Sequence, residues 1–232
     1  MITVLGEHRK ICYHVILRFG EVAQRLLSEC KGEGILSMET FNVSLVGVGG
    51  QGILLTSDVL AKTAALAGLD VKKSEIHGMA QRGGSVISQV RFGDRVFSPI
   101  IADGTSDLLV SFERLETLRW RHLLAPNGKV VMNDVNMTPV TVSTGQQPAI
   151  ADLEERLVRE YPDMLRLNAD EIALQLGNRR CMNMVLAGAL STVTPFAPEL
   201  WIDAIKDRLA SKAKLIDLNV RAFEAGRAAV AR

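Results

Sequence analysis

The chain has 232 residues, of which 47% are hydrophobic and 23% are charged, and its formal net charge is +1. This length suffices for one large α/β domain or two small ones, and the composition is typical of soluble globular proteins. A charge balance near zero gives no basic field to attract nucleic acid. No apolar stretch reaches the roughly 20 residues that cross a bilayer, so we expect no nucleic-acid partner and no membrane span.

The three cysteines, Cys12, Cys30 and Cys181, are far apart and form no C-x-x-C pair. Iron–sulfur and zinc sites that one chain carries alone need closely spaced cysteines, and a disulfide framework needs more of them. The spacing therefore predicts no metal site in this chain. It also favours a reducing, cytoplasmic location, with each cysteine a small, partly buried apolar residue.

Strands and helices alternate after Met38. The segment "TFNVSLVG" predicts a strand, and "GQGILLTSDVLAKTAALAG" predicts a helix that ends at Gly68. The apolar residues that share one face of this helix are Ile53, Leu54, Val59, Leu60 and Ala64. "LDVKKSE" predicts the next strand, and "SVISQVRFGDRVFSPII" predicts a tight hairpin around Gly93-Asp94.

Two continuous apolar runs, "DLLVSF" and "KVVMND", indicate strands that are covered on both faces. Between them lie a helical segment, "ERLETLRWRHLL", and a predicted turn at Pro126-Asn127-Gly128. "VTVST" and "LRLNAD" are weaker strand candidates on either side of the helix "ADLEERLVREY".

From Asp170 onward the pattern is helical. The four predicted helices are "ADEIALQLG", "NMVLAGALSTV", "PELWIDAIKDRLA" and "LIDLNVRAFEAGRAAVA". The third begins at Pro198, a residue favoured at the first helical position. This order of elements predicts a three-layer α/β fold, with a mostly parallel sheet, helices on both faces and the C-terminal helices packed on the same domain.

The segment "LVGVGGQG" (45–52) contains Gly47, Gly49 and Gly52 at the spacing G-x-G-x-x-G. Such a loop turns tightly and brings backbone N–H groups towards an anion. In a dinucleotide site an acidic residue about 20 positions further on binds the ribose, and Glu75 meets this requirement loosely. Since Gly50 and Gln51 fit either interpretation, an NAD(P)-binding oxidoreductase stays possible at this point.

A second glycine-rich stretch, "SEIHGMAQRGGSV" (74–86), places His77, Gln81 and Arg82 beside Gly78 and the Gly83-Gly84 pair. A Rossmann fold continues from its second strand into a crossover helix, whereas this sequence predicts a loop and then a hairpin. A loop of this kind suits an anionic group or a partner surface. The alternative is a solvated histidine, a surface arginine and glycines that only shape the loop.

Several segments together resemble the gamma-type domain of the 2-oxoacid:acceptor oxidoreductases, and within it the beta subunits of indolepyruvate:ferredoxin oxidoreductases. The resemblance covers about residues 40–230, and "HGMAQRGGS" is its most specific motif. The other matching segments are "GVGGQGILLTSDVLAKTA", "KKSEIHGMAQRGGSVISQVRFG", "FSPII", "DLLVSFERLETLRW", "NRRCMNMVLAGAL" and "LIDLNVRAFEAGR".

This resemblance implies oxidative decarboxylation of an aryl 2-oxoacid such as indolepyruvate, with coenzyme A as co-substrate and ferredoxin or a related protein as electron acceptor. It places thiamine diphosphate and the [4Fe-4S] clusters in a partner alpha subunit and implies that this chain alone binds no cofactor. The glycine loop would then shape an interface or a cofactor-proximal surface. A non-catalytic scaffold subunit is the remaining alternative.

The candidate site residues follow from the two glycine-rich stretches. Candidate catalytic residues are Glu75, His77 and Arg82. The candidate cofactor-binding or interface residues are Gly47, Gly49, Gly50, Gln51, Gly52, Gly78, Met79, Gln81, Gly83, Gly84 and Ser85.

The first 37 residues lie outside the resemblance, so we divide the chain into an extension, 1–38, and a domain, 39–232. Subunits of the family usually begin a few residues before the glycine-loop strand, where Met38 stands. "KGEG" also fits codons of a ribosome-binding site, so we expect Met38 to be the true start and residues 1–37 to be a gene-calling artefact. The alternative is a real helix at "EVAQRLLSEC", which has acceptable helical propensity.

Overall fold

A mixed β-sheet lies at the centre of the fold. The computed structural model describes residues 38–77, 84–138, 140–146, 148 and 150–231. Its strands are β1 Phe41–Val48, β2 Asp70–His77, β3 Ser85–Gly93, β4 Ser106–Ser111, β5 Leu124–Asn133 and β6 Leu165–Leu167. They are ordered β2-β3-β1-β4-β5-β6. Because β3 alone pairs antiparallel with its two neighbours, the other strands all point the same way, and the predicted mostly parallel sheet is confirmed.

Helices cover both faces of this sheet. The α-helices in the described residues are α1 Ile53–Leu66, α2 Arg114–Arg119, α3 Val140–Ser143, α4 Leu153–Glu160, α5 Ala169–Gln175, α6 Met182–Ser191, α7 Pro198–Arg208 and α8 Ile216–Val230. The larger core lies between the sheet and α1, α5, α6, α7 and α8. A smaller core lies on the other face, between the sheet and α2 and α4. The predicted three-layer arrangement is therefore confirmed.

The C-terminal helices pack on the same domain, as predicted. A Cβ atom on Gly188 of α6 would lie 2.0 Å from the carbonyl oxygen of Phe223, and one on Gly226 of α8 would lie 1.8 Å from that of Val185. The two helices thus approach backbone to backbone. Phe223 also stacks on Trp201 of α7, with ring centroids 5.9 Å apart.

The hairpin predicted around Gly93-Asp94 is wrong. Strand β3 instead forms a hairpin with β2, which precedes it, and none of residues 94–105 lies in a strand. Side chains of the sheet bind the backbone of this segment: Gln89 accepts from Ile101 N at 3.1 Å, and Arg91 donates to the carbonyl oxygens of Ser98 and Ile100 at 2.9 and 3.0 Å. These bonds take the place of the strand pairing that the alternating pattern predicts.

Two further local predictions need correction. "VTVST" was expected as a strand, but Val140–Ser143 is one turn of helix, α3. The turn expected at Pro126-Asn127-Gly128 lies inside β5, where the pairing with β4 is interrupted by a large bulge. Ser106 pairs with Leu124 and Leu108 pairs with Lys129, so four residues of β5 stand opposite one of β4.

The predictions for the N-terminal extension fall on residues 1–37, outside the described part of the chain. The first described residue, Met38, is bound to the end of β3: its backbone N donates to Asp94 Oδ2 at 2.8 Å, and its carbonyl accepts from Asp94 N at 3.2 Å. The assignment of the start to Met38 stays a prediction.

Candidate functional site

The glycine loop lies at the carboxyl edge of the sheet, where its strand order reverses. Helix α1 follows β1 onto one face, and α2 follows the neighbouring strand β4 onto the other. In open α/β sheets such a switch point leaves a crevice between the two loops, and ligands bind there. The loop after β1 is Gly49–Gly52, preceded by Gly47 within the strand, and the loop after β4 contains Phe112 and Glu113.

Close packing accounts for the first and last glycines of the motif. A Cβ on Gly47 would lie 2.7 Å from the Cβ of Phe112, in the loop after β4. Gly52 has φ +86°, and its Cβ would lie 2.6 Å from Nδ2 of Asn183. Gly50 also has a positive φ, +104°, but has open space around it. The motif therefore produces a tight turn pressed against β4 and α6.

Gln51 closes this loop. Its Oε1 accepts from Val48 N at 2.7 Å, and its Nε2 donates to the carbonyl oxygen of Phe112 at 2.9 Å. Asn133, at the end of β5, donates to the same carbonyl at 3.2 Å. The side chain of Gln51 thus fixes the loop to the ends of two neighbouring strands and is engaged in structure.

Two helices begin side by side at Gly52. Thr56 Oγ1 in the first turn of α1 donates to the carbonyl oxygen of Asn183 in the first turn of α6, at 3.3 Å. No side chain caps α1 at Gly52, whereas in the first turn of α6 Met182 N donates to the carbonyl oxygen of Arg179 and Met184 N to Asn183 Oδ1. The first N–H groups of a helix lack partners within it, and its dipole places positive charge there. This position therefore favours an anion.

Asn183 adds a donor to this point. Its side chain is 4% exposed, and its Oδ1 accepts from Met184 N at 3.0 Å. Its Nδ2 faces Gly52, 2.6 Å from the position that a Cβ on Gly52 would take. An amide N–H₂ at this point can donate to a ligand oxygen. Arg179 and Arg180, both exposed, lie just before α6.

A second set of polar side chains braces the same edge from within. Asn133, fully buried, accepts from Ala169 N at 2.9 Å and donates to Asp170 Oδ2 at 2.9 Å. Asp170 in turn accepts from Arg179 Nε at 2.6 Å. The ends of β5, α5 and the turn before α6 are thereby joined through one amide side chain.

Glu113 is a buried acid whose role is structural. Its carboxylate, in a residue only 1% exposed, accepts from the backbone N–H groups of Glu116 and Met137, both at 3.0 Å. Burial raises the pKa of Glu113 above its ordinary value, although these backbone bonds oppose the shift. Glu113 caps α2 and ties it to the chain after β5.

The structure separates Glu75 from the glycine loop. Glu75 lies on β2, paired with Ser88 of β3, and its carboxylate forms an ion pair with Lys73. The backbone of His77 is in register with Val86, which is in register with Gly47. One strand therefore lies between these candidates and the loop.

The two glycine-rich stretches do meet at one point. Gly49 N donates to the carbonyl oxygen of Gly84 at 2.8 Å, next to the pair formed by Val48 and Ser85. The remaining candidates of the second stretch lie outside the described residues. They are Gly78, Met79, Gln81, Arg82 and Gly83.

This geometry does not support a Rossmann dinucleotide site. There the second strand lies beside the first, so that its terminal acid reaches the ribose. Here β3 is inserted between β1 and β2, and Glu75 is bound to a lysine. Glu75, the acidic residue that an NAD(P)-binding oxidoreductase would require, is therefore not placed to bind the ribose.

Sequence reasoning missed Asn133, Asn183 and Glu116. Asn133 and Asn183 carry a signal, since each is a polar residue in an otherwise apolar strand or helix. Glu116 carries none, because glutamate in a short helix is ordinary. In the part of the chain that the structure describes, no group of three or more His, Cys, Asp or Glu residues could hold a metal ion, and no helix has the length and apolarity to span a bilayer.

Comparison with known proteins decides the family. The family described as "Pyruvate ferredoxin/flavodoxin oxidoreductase" matches residues 42–229. The chain belongs to this family. The resemblance inferred from the sequence motifs is thus confirmed.

Relatives in the pyruvate ferredoxin/flavodoxin oxidoreductase family include subunits of several 2-oxoacid oxidoreductases. The indolepyruvate oxidoreductase subunit IorB of Pyrococcus horikoshii is 39% identical over 194 residues, covering 82% of this chain and 95% of that protein. The IorB of Methanothermobacter thermautotrophicus is 37% identical, covering 82% of this chain and 98% of that protein. The ketoisovalerate oxidoreductase subunit VorA of the same organism is 30% identical, and the match covers 79% of this chain and 35% of that subunit.

Solved structures of 2-oxoacid:ferredoxin oxidoreductases share the fold. The gamma subunit of a keto/oxoacid ferredoxin oxidoreductase from Geobacter sulfurreducens superposes with a TM-score of 0.61 at 20% identity, over 82% of this chain and 98% of that one. The 2-oxoglutarate:ferredoxin oxidoreductase of Magnetococcus marinus, solved with 2-oxoglutarate, coenzyme A and succinyl-CoA bound, gives 0.63 at 20% identity, over 83% of this chain and 31% of that one.

Proposed function

We propose that this chain is the non-cluster subunit of a thiamine-diphosphate-dependent 2-oxoacid:ferredoxin oxidoreductase that acts on indolepyruvate or another arylpyruvate. The identity to IorB subunits over nearly their whole length supports this assignment. In the reaction a 2-oxoacid and coenzyme A yield acyl-CoA and carbon dioxide, and the two electrons released reduce two ferredoxins. Thiamine diphosphate supplies the electron sink that no amino-acid side chain provides.

The clusters belong to a partner subunit in this proposal. A [4Fe-4S] cluster needs four thiolate ligands, and the sequence has three cysteines that are far apart. Cys181 is moreover buried, and burial raises the pKa of its thiol, which disfavours the thiolate. The proposed partner is therefore an alpha subunit that carries both thiamine diphosphate and the clusters, in the cytoplasm.

The observation that carries the role of this chain is the meeting of α1 and α6 at Gly52 and Asn183. The start of α1, which no side chain caps, and the amide of Asn183 beside it favour an anion at the switch point of the sheet. Coenzyme A is the anionic co-substrate of the proposed reaction, and its phosphates fit these donors. The exposed Arg180 adds positive charge beside them, whereas Arg179 is paired with Asp170.

The second glycine-rich stretch remains part of the proposal. Its last residues, Gly84 and Ser85, are bound to the glycine loop and to α2. We assign Arg82, two positions earlier in the sequence, to the same anion or to the partner subunit. His77 is a candidate to position a substrate or partner group.

The segment 95–101 is the surface we assign to the partner subunit. Phe97 is 82% exposed and Ile100 is 55% exposed, although hydrogen bonds from Arg91 hold the backbone of this segment in place. A rigid segment that presents large apolar side chains is typical of interface anchors. In VorA and in the Magnetococcus enzyme the matched region is about a third of a longer chain, so a separate chain needs such an interface.

Reconstitution tests this function. We expect the purified chain alone to oxidise no 2-oxoacid and to show no iron–sulfur absorbance. Co-expression with a thiamine- and cluster-bearing alpha subunit should give reduction of ferredoxin that requires both indolepyruvate and coenzyme A. Equal activity of the alpha subunit without this chain would indicate a non-catalytic scaffold. Activity of this chain alone would contradict the proposal.

A further inference from the structure

We propose that Glu116 is a positioning residue for coenzyme A, acting through Ser85 on the junction between Gly49 and Gly84. The inference rests on the proposed function, because it explains what holds the Gly49–Gly84 junction in the geometry that coenzyme A would bind. We call the three hydrogen-bonded side chains of Glu116, Ser85 and Trp120 the latch.

Glu116 is a carboxylate placed where burial is costly. It is 2% exposed and lies on α2, the helix whose Leu118 belongs to the smaller core. Its Oε2 accepts from Ser85 Oγ and, at 3.1 Å, from Trp120 Nε1. Its Oε1 forms an ion pair with Arg119. Both carboxylate oxygens therefore have donors.

Ser85 connects this carboxylate to the candidate site. Its hydroxyl donates to Glu116 and accepts from Trp120 Nε1 at 3.0 Å, so its rotamer is fixed from two sides. Its backbone pairs with Val48, the last residue of β1, and Gly49 N donates to the neighbouring Gly84 at 2.8 Å. The latch thus fixes the place where the glycine loop leaves the sheet.

Stability alone does not require a carboxylate at this position. Glu116 is buried while its partner Arg119 is half-exposed, and a paired carboxylate that loses its water is often no more stabilising than an apolar residue of similar size. Glu113 already caps α2, so Glu116 is not needed for that purpose. The carboxylate instead fixes the local geometry. It accepts hydrogen bonds from Ser85 of β3 and from Trp120 at the end of α2, and so sets the distance between β3 and α2.

A binding site made of backbone N–H groups depends on such fixed positions. Displacement of the reacting groups by about 1 Å can cost about a hundredfold in rate, and supporting residues keep a site within about 0.5 Å of its working geometry. If the latch is removed, the Gly49–Gly84 junction loses its support on the α2 side. The affinity for coenzyme A should fall, while the oxoacid, held by the partner subunit, should be unaffected.

Steady-state kinetics of the assembled two-subunit enzyme test this inference. We expect Ser85→Ala and Glu116→Leu each to raise the KM for coenzyme A by about tenfold, with kcat and the KM for the oxoacid within about twofold of wild type. The double variant should be no worse than either single variant, because both remove the same contact. Glu116→Gln retains an oxygen for Ser85 and Trp120 and should restore most of the affinity.

Ser106→Ala is the matched control. Ser106 is fully buried at the opposite edge of the sheet, where its hydroxyl bonds with Ser44 at 3.0 Å. This control should lower Tm without changing the KM for coenzyme A. A loss of Tm with an unchanged KM in Ser85→Ala would overturn the inference, as would equal losses in Glu116→Gln and Glu116→Leu. If Glu116→Leu does not fold, Ser85→Ala still decides. Wild-type turnover that does not depend on coenzyme A would instead contradict the proposed function itself.

Discussion

Gly52 shows how one residue serves both fold and site. Its φ of +86° lies in a region that L side chains rarely adopt, and a Cβ would lie 2.6 Å from Asn183 Nδ2. The first property allows the chain to turn from β1 into α1. The second brings the start of α1 against the start of α6, which creates the proposed anion position.

Substitution of Gly52 separates these two effects. We expect Gly52→Ala to destabilise the protein by about 2–3 kcal/mol, since it adds a steric conflict to the strain of a positive φ. Gly68→Ala is the matched control, because Gly68 has φ +80° but nothing within 4 Å of its Cβ position. It should cost only about 1 kcal/mol. Equal free energies of unfolding for the two variants, measured with denaturant, would refute the conflict with Asn183.

The glycines of the site were predictable from sequence, but their partners were not. The spacing of Gly47, Gly49 and Gly52 is a local pattern with a local cause, a tight turn after a strand. Asn183 is more than a hundred residues further on, and its contact with the loop arises only when α6 packs beside α1. A single sequence contains no signal for such a pairing.

At the scale of elements, the edge of the sheet departs from the predicted pattern. Strand β3 lies between β1 and β2, whereas the alternation in "SVISQVRFGDRVFSPII" predicts pairing with the segment that follows. The alternation of that segment reflects a different cause. Val96 and Ile101 are buried while Phe97 and Ile100 are exposed, because side-chain hydrogen bonds hold the segment against the sheet.

This segment gives a prediction for subunit assembly. We expect Phe97→Ser and Ile100→Ser to weaken association with the alpha subunit by about tenfold or more each, since buried aromatic and aliphatic anchors dominate interfaces. Their unfolding free energies should change by less than about 0.5 kcal/mol. Val158→Ser on α4 is the control, because Val158 is an exposed apolar residue elsewhere on the surface. Dissociation constants from biolayer interferometry that match the control would reject this surface as the interface.

Asp134 joins three elements at the carboxyl edge and predicts a pH effect. Burial alone would raise the pKa of its carboxyl, but hydrogen bonds from Arg166 of β6 and Arg114 of α2 outweigh this and lower the pKa below its ordinary value. Because the pKa is lowered in the folded state, its contribution to stability is complete above about pH 4 and is lost as the pH falls further.

Asp134→Asn should therefore cost about 1–2 kcal/mol at pH 6 and should flatten the loss of stability below about pH 4. Asp103→Asn is the control, since Asp103 is mostly exposed and 4.0 Å from His122. It should change the unfolding free energy by less than about 0.5 kcal/mol. A fall in stability at acid pH as steep as that of wild type would show that Asp134 is not the group responsible.

At the scale of the whole molecule, the three-layer fold could be predicted because the long strands and helices each show the apolar pattern of their type. Apolar runs such as "DLLVSF" indicate strands covered on both faces, and the C-terminal helices carry apolar stripes. The prediction of a short strand at "VTVST" was wrong because the segment is short. Five residues hold too little pattern to distinguish a strand from the helical turn of Val140–Ser143.

The central claim is that the switch point of this sheet binds coenzyme A rather than a dinucleotide. Isothermal titration calorimetry of the assembled enzyme, with coenzyme A and separately with NADH, tests it directly. We predict saturable binding of coenzyme A, no binding of NADH, and at least about tenfold weaker coenzyme A binding in Asn183→Leu, which lacks one hydrogen bond to a charged group. Saturable NADH binding, or coenzyme A binding that Asn183→Leu leaves unchanged, would contradict the account.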